Sequence, residues 1–164
     1  HQKIGSESVS GMNSNSSFIG FRGVEDLGGG LKAGFQMEAL FGSDNGGSGL
    51  NFQRHSELNL SGNFGTVRLG KFNVGSYLAT ADYISMHNHD TGTSSDQLYQ
   101  VHSASANKIA YRSPELAGFT AEIQYGFGEK ANIGKNNHNR GAWDLGLNYA
   151  NGPLGLGFGY SKEK

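Results

Sequence analysis

The sequence lacks cysteine, carries almost no net charge and has no long apolar run, and each of these absences excludes a class of protein. Without cysteine, neither a disulfide framework nor a thiolate zinc site is possible. A net charge of −1 with no block of like charges is not typical of nucleic-acid-binding proteins, so no such partner is predicted. The absence of any run of about 18 apolar residues excludes a membrane-spanning helix. It leaves open a membrane barrel, whose strands need only about 9 to 11 residues.

Glycine, in contrast, is abundant, with 27 residues in a chain of 164, whereas hydrophobic residues make up only 35%. So much glycine without a collagen repeat indicates many tight turns or a crowded β-sheet surface. The segment 31–41 supports a sheet, because apolar residues occupy every second position from Leu31 to Phe41. A helix would scatter these residues around its circumference, so the period of two predicts a β-strand.

Eight strands are predicted from this period and from the glycine-rich turns between them. They are residues 18–24, 31–41, 51–61, 66–72, 108–112, 119–128, 143–149 and 154–160. Long connections (42–50, 73–106 and 130–140) alternate with tight turns (25–30, 62–65, 113–118 and 151–153). That alternation is typical of a barrel with one elaborate rim. Residues 1–16 are polar and are predicted to form a mobile arm or a loop.

The connection of residues 73–106 has neither a helical nor a strand period. In a compact domain, so long a connection is usually functional or disordered. Its many aromatic residues argue against a simple linker. Cationic residues lie near both of its ends, at Lys71 and at Lys108 and Arg112. We therefore predict a loop folded into the lumen of a β-barrel, facing a basic wall.

Two β-architectures produce such alternation. A soluble sandwich buries its apolar face in a core, whereas a membrane barrel turns that face to lipid and lines its lumen with the polar set. Alternation alone does not separate the two, but aromatic residues near strand ends favour the barrel, which has aromatic girdles at both membrane interfaces. These residues are Phe41, Phe72, Phe119, Phe127, Trp143, Tyr149 and Tyr160.

Three stretches resemble the general diffusion porins of Gram-negative outer membranes. They are Phe18–Ala33 (FIGFRGVEDLGGGLKA), Leu60–Lys71 (LSGNFGTVRLGK) and Tyr149–Gly155 (YANGPLG), and the resemblance runs from about Ser17 to the end. It implies an all-β, antiparallel transmembrane barrel of about 16 strands, large enough for an aqueous channel. Residues 17–164 would then be the first half of such a barrel, less its opening strand, with an inward-folded constriction loop at about residues 73–106.

The resemblance also implies a function and partners. The expected protein is a homotrimer in outer-membrane lipid that lets small hydrophilic solutes and ions diffuse passively, without a cofactor. In such a barrel, side chains alternate between the two faces of each strand, so that the apolar residues face lipid and the polar residues face water. The residues expected to face lipid are Phe35, Ile123, Leu145, Leu147 and Phe158, and those expected to face water are Gln36, Gln124 and Asn148.

By the motifs of this family, the basic side of the constriction is Arg54, Lys71 and Arg112. The acids on the loop that would face them are Asp82, Asp90 and Asp96. Together these groups would set an electric field across the narrowest section. Lys71 stands where an arginine is more usual and has the parity of Leu69, so a lumenal Lys71 requires a twist or bulge near Gly70.

If Arg54 is assigned to the lumen, the alternation of its predicted strand places other polar residues on the lipid side. Arg54 shares parity with Leu58, while His55, Glu57 and Asn59 share the other face. If Arg54 points into the lumen, that polar face meets lipid, which is costly. A protein neighbour or a bulge that resets the parity would then be needed.

Two kinds of chemical site and two other functions are alternatives to the porin interpretation. Residues 86–90 hold two histidines at i and i+2 with an aspartate, a pattern that could bind zinc or copper, but they offer no third fixed ligand, so no metal site is predicted. Serine, histidine and aspartate are present without a nucleophile elbow or an ordered triad, so no catalytic residue is predicted. A soluble β-sandwich binding module and, behind it, an outer-membrane barrel enzyme are the alternative functions.

Overall fold

The computed structural model describes residues 2–4, 7–9, 14, 16–47, 49–84, 106–127 and 141–163. Within these ranges the chain forms ten strands and two short helices. The strands are β1 (Gln2–Ile4), β2 (Glu7–Val9), β3 (Phe18–Gly28), β4 (Leu31–Leu40), β5 (His55–Gly62), β6 (Gly65–Lys71), β7 (Lys108–Arg112), β8 (Phe119–Gly126), β9 (Ala142–Asn151) and β10 (Leu154–Glu163). The helices are α1 (Gly75–Ala79) and α2 (Ala81–Ile84).

Eight of the strands form one antiparallel sheet in the order in which they follow one another, from β3 at one edge to β10 at the other. Each strand therefore pairs with its sequence neighbours, as in an up-and-down barrel wall, although the sheet is not closed on itself. This confirms the all-β fold and all eight predicted strands. Strands β1 and β2 form a separate pair where the sequence predicts a mobile arm or a loop.

Short and long connections lie at opposite ends of the sheet. Short turns of residues 29–30, 63–64, 113–118 and 152–153 lie at one end, which we call the turn end. The connections of residues 41–54, 72–107 and 127–141 lie at the other, the loop end. The alternation of long and short connections is thus confirmed.

The first turn is tighter than the sequence predicts. Gly28, Gly29 and Gly30 all have positive φ angles (83°, 62° and 82°), which glycine adopts without steric cost. The chain therefore reverses within two residues, and Glu25 and Asp26, expected in the turn, continue the ladder of β3.

One face of the sheet, which we call the apolar face, presents large hydrophobic side chains to the outside. A single row across seven strands shows its continuity, with cross-strand pairs joining Ala33, Leu60, Val67, Tyr111, Ile123, Leu145 and Tyr160. Ile123 is 46% exposed and Phe158 is 54% exposed. The five residues predicted to face lipid all have the register of this face, and the described residues place no second layer on it.

The opposite, polar face is buried in parts of β5 and of β7 to β9. Its charged and amide side chains include Lys108 at 3% exposure, Asp144 at 6% and Gln124 at 1%. In a soluble β-sandwich the apolar face is the buried one, so the burial here is reversed. Gln36, Gln124 and Asn148 lie on this face as predicted, although Gln124 is covered by the chain and does not face water.

Aromatic side chains cluster near both ends of the apolar face. At the turn end, the ring centroids of Phe119 and Tyr149 are 4.5 Å apart, and at the loop end those of Tyr125 and Trp143 are 4.7 Å apart. The six residue steps from Phe119 to Tyr125 span about 20 Å along β8. This is close to the apolar band of about 25 Å in membrane barrels.

Phe72 does not belong to these clusters, so its assignment to a girdle is wrong. Its ring is 1% exposed and lies on the polar face, with the Arg68 guanidinium 4.1 Å and the Lys108 ammonium 4.4 Å from the ring centroid. Cation–π attraction between these groups explains why an aromatic ring is stable among charges.

The start of the long connection contains both helices, although its sequence shows no helical period. Helices of five and four residues are too short to display a period or to be stable alone, so contacts with the sheet must stabilise them. Neither helix has the length and apolar character needed to cross a bilayer.

Candidate functional site

A network of ion pairs runs across the polar face and centres on Arg68 of β6. Its Nη2 donates to Oε2 of Glu57 on β5 at 2.6 Å, and its Nη1 donates to Oε1 of Glu122 on β8 at 2.9 Å. The Glu57 carboxylate also contacts two residues of its own strand. His55 Nε2 is 2.9 Å from Glu57 Oε2, and Asn59 Nδ2 donates to Glu57 Oε1 at 2.9 Å. Arg68 therefore links two acids that stand on different strands.

Ala110 provides the space for this link. It is the cross-strand partner of Arg68 on one side and of Gln124 on the other, and it is 2% exposed. Because alanine is short, the guanidinium can extend over β7 to Glu122. The planar fork of arginine suits two carboxylates at once, which lysine could not match.

The network continues to Asn73, the second residue after β6. Lys108 Nζ donates to Gln124 Oε1 at 2.7 Å, and Gln124 Nε2 donates to Glu122 Oε1 at 2.5 Å. Both Lys108 and Gln124 also donate to the Asn73 carbonyl, at 3.3 and 3.2 Å. The wall thus holds the backbone at the point where the connection leaves β6.

Helix α1 lies directly on the polar face, against β9 and β10. The Ser76 backbone N–H donates to Asp144 Oδ1 at 2.7 Å, and the Ser76 hydroxyl contacts both Asp144 and Ser161. At the other end of the helix, Asn148 Nδ2 donates to the Ala79 carbonyl at 3.2 Å. The start of the long connection therefore folds onto the polar face, whereas residues 85–105 of the predicted loop lie outside the described residues.

Three glycines let the helix backbone approach so closely. A Cβ at Gly157 would lie 1.9 Å from the Ala79 carbonyl oxygen, and one at Gly146 would lie 2.4 Å from that of Gly75. A Cβ at Gly159 would lie 2.8 Å from the Ser76 carbonyl oxygen. The alternating glycines of β10 are thus explained by contact between backbone and helix.

We expect Gly157→Ala to destabilise the complete protein by about 1–3 kcal/mol, the usual cost of overpacking. The added methyl group would meet backbone, so α1 or β10 must move. Gly155→Ala is the matched control, because its Cβ would meet only the end of the Tyr83 side chain, which can turn aside. Denaturant unfolding in detergent measures both variants, and equal midpoints would show that α1 does not rest on β10.

Arg54, the first predicted basic residue, lies against the polar face at the loop end. Its Nε donates to Glu38 Oε2 at 2.9 Å, and its guanidinium is 4.2 Å from the Phe18 ring centroid. Strand β5 begins only at His55, so Arg54 is not bound by the alternation of the strand. The face of His55 and Glu57 is the polar face, which removes the predicted conflict without a bulge.

Lys71 and Arg112, the other two predicted basic residues, do not lie beside Arg54. Lys71 pairs with Ser56 in an unbroken ladder, so its register is that of Leu69 on the apolar face. Gly70 does have an unusual φ of 127°, but the pairing of β5 with β6 shows no register shift. Arg112 pairs with Thr66 near the turn end, forms no ion pair with the described residues, and lines a cavity of about 310 Å³ beside α1.

The structure does not gather these three residues at one level of the sheet. Thr66, the partner of Arg112, pairs with Ser61, which is seven positions from Arg54. That separation corresponds to about 23 Å along the strand direction. Of the three predicted acids, Asp82 lies in α2, whereas Asp90, Asp96 and the histidine pattern of residues 86–90 lie outside the described residues.

Sequence reasoning did not select the residues that form the network, although a signal was present. Glu57, Arg68, Glu122 and Asp144 each alternate with apolar neighbours in their strands, which assigns them to the polar face. Their mutual contacts depend on strand register, which the sequence alone does not give.

The protein thus combines a sheet that has an outward apolar face with a helical segment folded onto the opposite, polar face. The sequence model that describes Gram-negative porins matches residues 2–164. The chain belongs to the Gram-negative porin family. The match also covers the residues before Ser17, which precede the stretches that resemble porins in the sequence.

Several relatives of this porin are named for their place in the outer membrane. It is 38% identical to outer membrane porin protein 32 of Delftia acidovorans, over 92% of this chain and 45% of that protein. It is also 38% identical to major outer membrane protein P.IB of Neisseria lactamica, over 82% of this chain and 39% of that protein. A solved anion-selective porin from Comamonas acidovorans superposes with a TM-score of 0.71 at 34% identity, covering 92% of this chain and 48% of that one.

The chain spans less than half the length of these relatives. Their names place this porin in the outer membrane of a Gram-negative bacterium. The relatives are channels rather than enzymes.

Proposed function

We propose that the complete porin forms a water-filled channel through which small hydrophilic solutes and ions diffuse passively across the outer membrane. The observation that carries this proposal is the reversed burial of the sheet. Hydrophobic residues such as Ile123 and Phe158 are exposed, while Asp144 and Lys108 are buried on the other face. Such a wall is stable when lipid covers the first face and the second lines an aqueous lumen.

In this channel the connection of residues 73–106 acts as the constriction loop. Helix α1 already occupies the polar face, where Asp144, Ser161 and Asn148 hold it. A segment held on the lumenal side of the wall reduces the cross-section open to solutes. Its acids Asp82, Asp90 and Asp96 would then face the basic groups of the wall.

Passive permeation needs no covalent chemistry, so the proposed protein is not an enzyme and requires no cofactor. The assembly is proposed to be a homotrimer in outer-membrane lipid, as the family resemblance implies. Lipid would cover those parts of the apolar face that do not meet another copy.

Arg54 and Arg112 are proposed to bias ion passage, and reversing their charge tests this. Arg54→Glu would change the local charge by two units and remove the cation of the Arg54–Glu38 ion pair. We expect Arg54→Glu and Arg112→Glu in the complete protein to shift permeability toward cations, because low-dielectric walls focus the potential in the lumen. Asp90→Asn or Asp96→Asn should shift it toward anions.

Reversal potentials in planar bilayers under a salt gradient measure these shifts. The shifts should shrink between about 0.01 M and 1 M salt, since the screening length falls from about 30 Å to about 3 Å. Lys130→Glu, in the connection between β8 and β9, is the control and should change little. Unchanged reversal potentials in both arginine variants would refute their role, and a folded native protein that does not conduct at all would refute the channel.

A further inference from the structure

One buried carboxylate joins helix α1 to two strands of the wall. Asp144 on β9 accepts the Ser76 N–H at 2.7 Å, and its other oxygen contacts the hydroxyls of Ser76 and Ser161. The two hydroxyl oxygens are 3.0 Å apart. Asp144 is 6% exposed and Ser76 is 2% exposed, so water has little access to these bonds. We call these three residues the α1 anchor.

We propose that Asp144 is the positioning residue that holds α1 against the wall and so fixes the cross-section at the level of the loop. This inference rests on the proposed channel function. Hydrogen bonds to an ionised acceptor in a buried site are about twice as strong as neutral ones. Three further hydrogen bonds from the wall reach carbonyl oxygens of the described part of the segment at 3.2 to 3.3 Å, from Lys108 and Gln124 to Asn73 and from Asn148 to Ala79. The glycines beneath α1 give it space but no directional attraction.

The first test removes the carboxylate from the complete protein. Asp144→Ala leaves the Ser76 N–H and both hydroxyls without this acceptor, so α1 should spend on the order of 10-fold more time away from the wall. In single-channel records this appears as increased open-channel noise and as current levels other than the native one. Ser161→Ala removes one donor only and should have a smaller effect.

Asp26→Ala is the matched control. Asp26 is also an acid with the register of the polar face, but it bonds the Gly28 N–H of its own turn and not the helix. Its removal changes the charge of the wall without releasing α1, so the noise should remain native.

A rescue experiment separates positioning from a role in assembly. The native chain has no cysteine, so Ser76→Cys with Ser161→Cys adds one pair of thiols where the two hydroxyl oxygens are 3.0 Å apart. In the Asp144→Ala background, the oxidised pair should restore the native current. Adding reductant to the same inserted channel should return the noise, which a defect in assembly would not do.

The outcomes distinguish the two proposals. If the native complete protein does not conduct, the channel function fails. If it conducts, but Asp144→Ala and the reduced cysteine pair both show native noise and levels, Asp144 does not position the loop. If Asp144→Ala does not assemble, Asp144→Asn decides. Its amide keeps one acceptor oxygen but loses the charge, so the bonds to the Ser76 N–H and to the two hydroxyls weaken and the noise should rise. An unchanged record in Asp144→Asn overturns the inference.

Discussion

The Ile123→Arg variant of the complete porin is expected to lose about 2–4 kcal/mol of folding free energy in lipid. Ile123 is 46% exposed in the middle of the apolar row, paired with Tyr111 and Leu145. A charge at that depth meets hydrocarbon, whereas the native side chain is as apolar as its surroundings. Denaturant-induced unfolding from lipid vesicles measures the difference.

The control for this variant is Gln36→Arg on the polar face. Gln36 is half-buried and bonds Glu38, and an arginine there has carboxylates within reach. Gln124 is unsuitable as a control, because it is fully buried beneath the Asn73 carbonyl. If Gln36→Arg costs as much as Ile123→Arg, the two faces do not meet different solvents, and the barrel orientation is wrong.

Arg68→Met is expected to destabilise the complete porin by about 3–5 kcal/mol, the usual cost of breaking a buried ion pair from one side. The substitution keeps much of the side-chain length but leaves Glu57 and Glu122 close together without the guanidinium that links them. Their side chains are only 6% and 10% exposed, so water compensates little. Unfolding midpoints in detergent compare the variant with the native protein.

Two further variants test the cause of this loss. Arg22→Ala removes a cation of the same face that is exposed and has no ion pair among the described residues, so it should cost less than about 0.5 kcal/mol. Adding Glu57→Gln and Glu122→Gln to Arg68→Met should recover most of the stability, because the uncompensated charges are gone. No recovery would mean that Arg68 acts through packing on Phe72 instead.

The strands could be predicted from the sequence because their signal is local. The pleat sends successive side chains to opposite faces, so Leu31 to Phe41 reveals a strand and its apolar face without any partner. Strand ends were less well predicted. Extending β5 back to residue 51 placed Arg54 in an alternation that it does not follow.

The helices and the network could not be predicted, because both depend on contacts between distant segments. Helix α1 is held by Asp144, which is 68 residues from Ser76 along the chain. Arg68 meets Glu122 across β7 only through the register, which pairs Ala110 with Arg68 on one side and with Gln124 on the other. Phe72 shows the same limit. An aromatic ring at a strand end predicts a membrane interface, whereas the contacts of this ring are with two cations of the polar face.

The central claim is that the polar face lines water and the apolar face meets lipid, and neighbouring residues of β4 test it most directly. The native chain has no cysteine, so Gln36→Cys and Phe35→Cys each introduce a single thiol on opposite faces of one strand. A charged, membrane-impermeant thiol reagent is added while current through the complete porin is recorded. We predict that Gln36→Cys reacts and its current falls, whereas Phe35→Cys does not react. Reaction at Phe35→Cys with an unreactive Gln36→Cys would contradict the account.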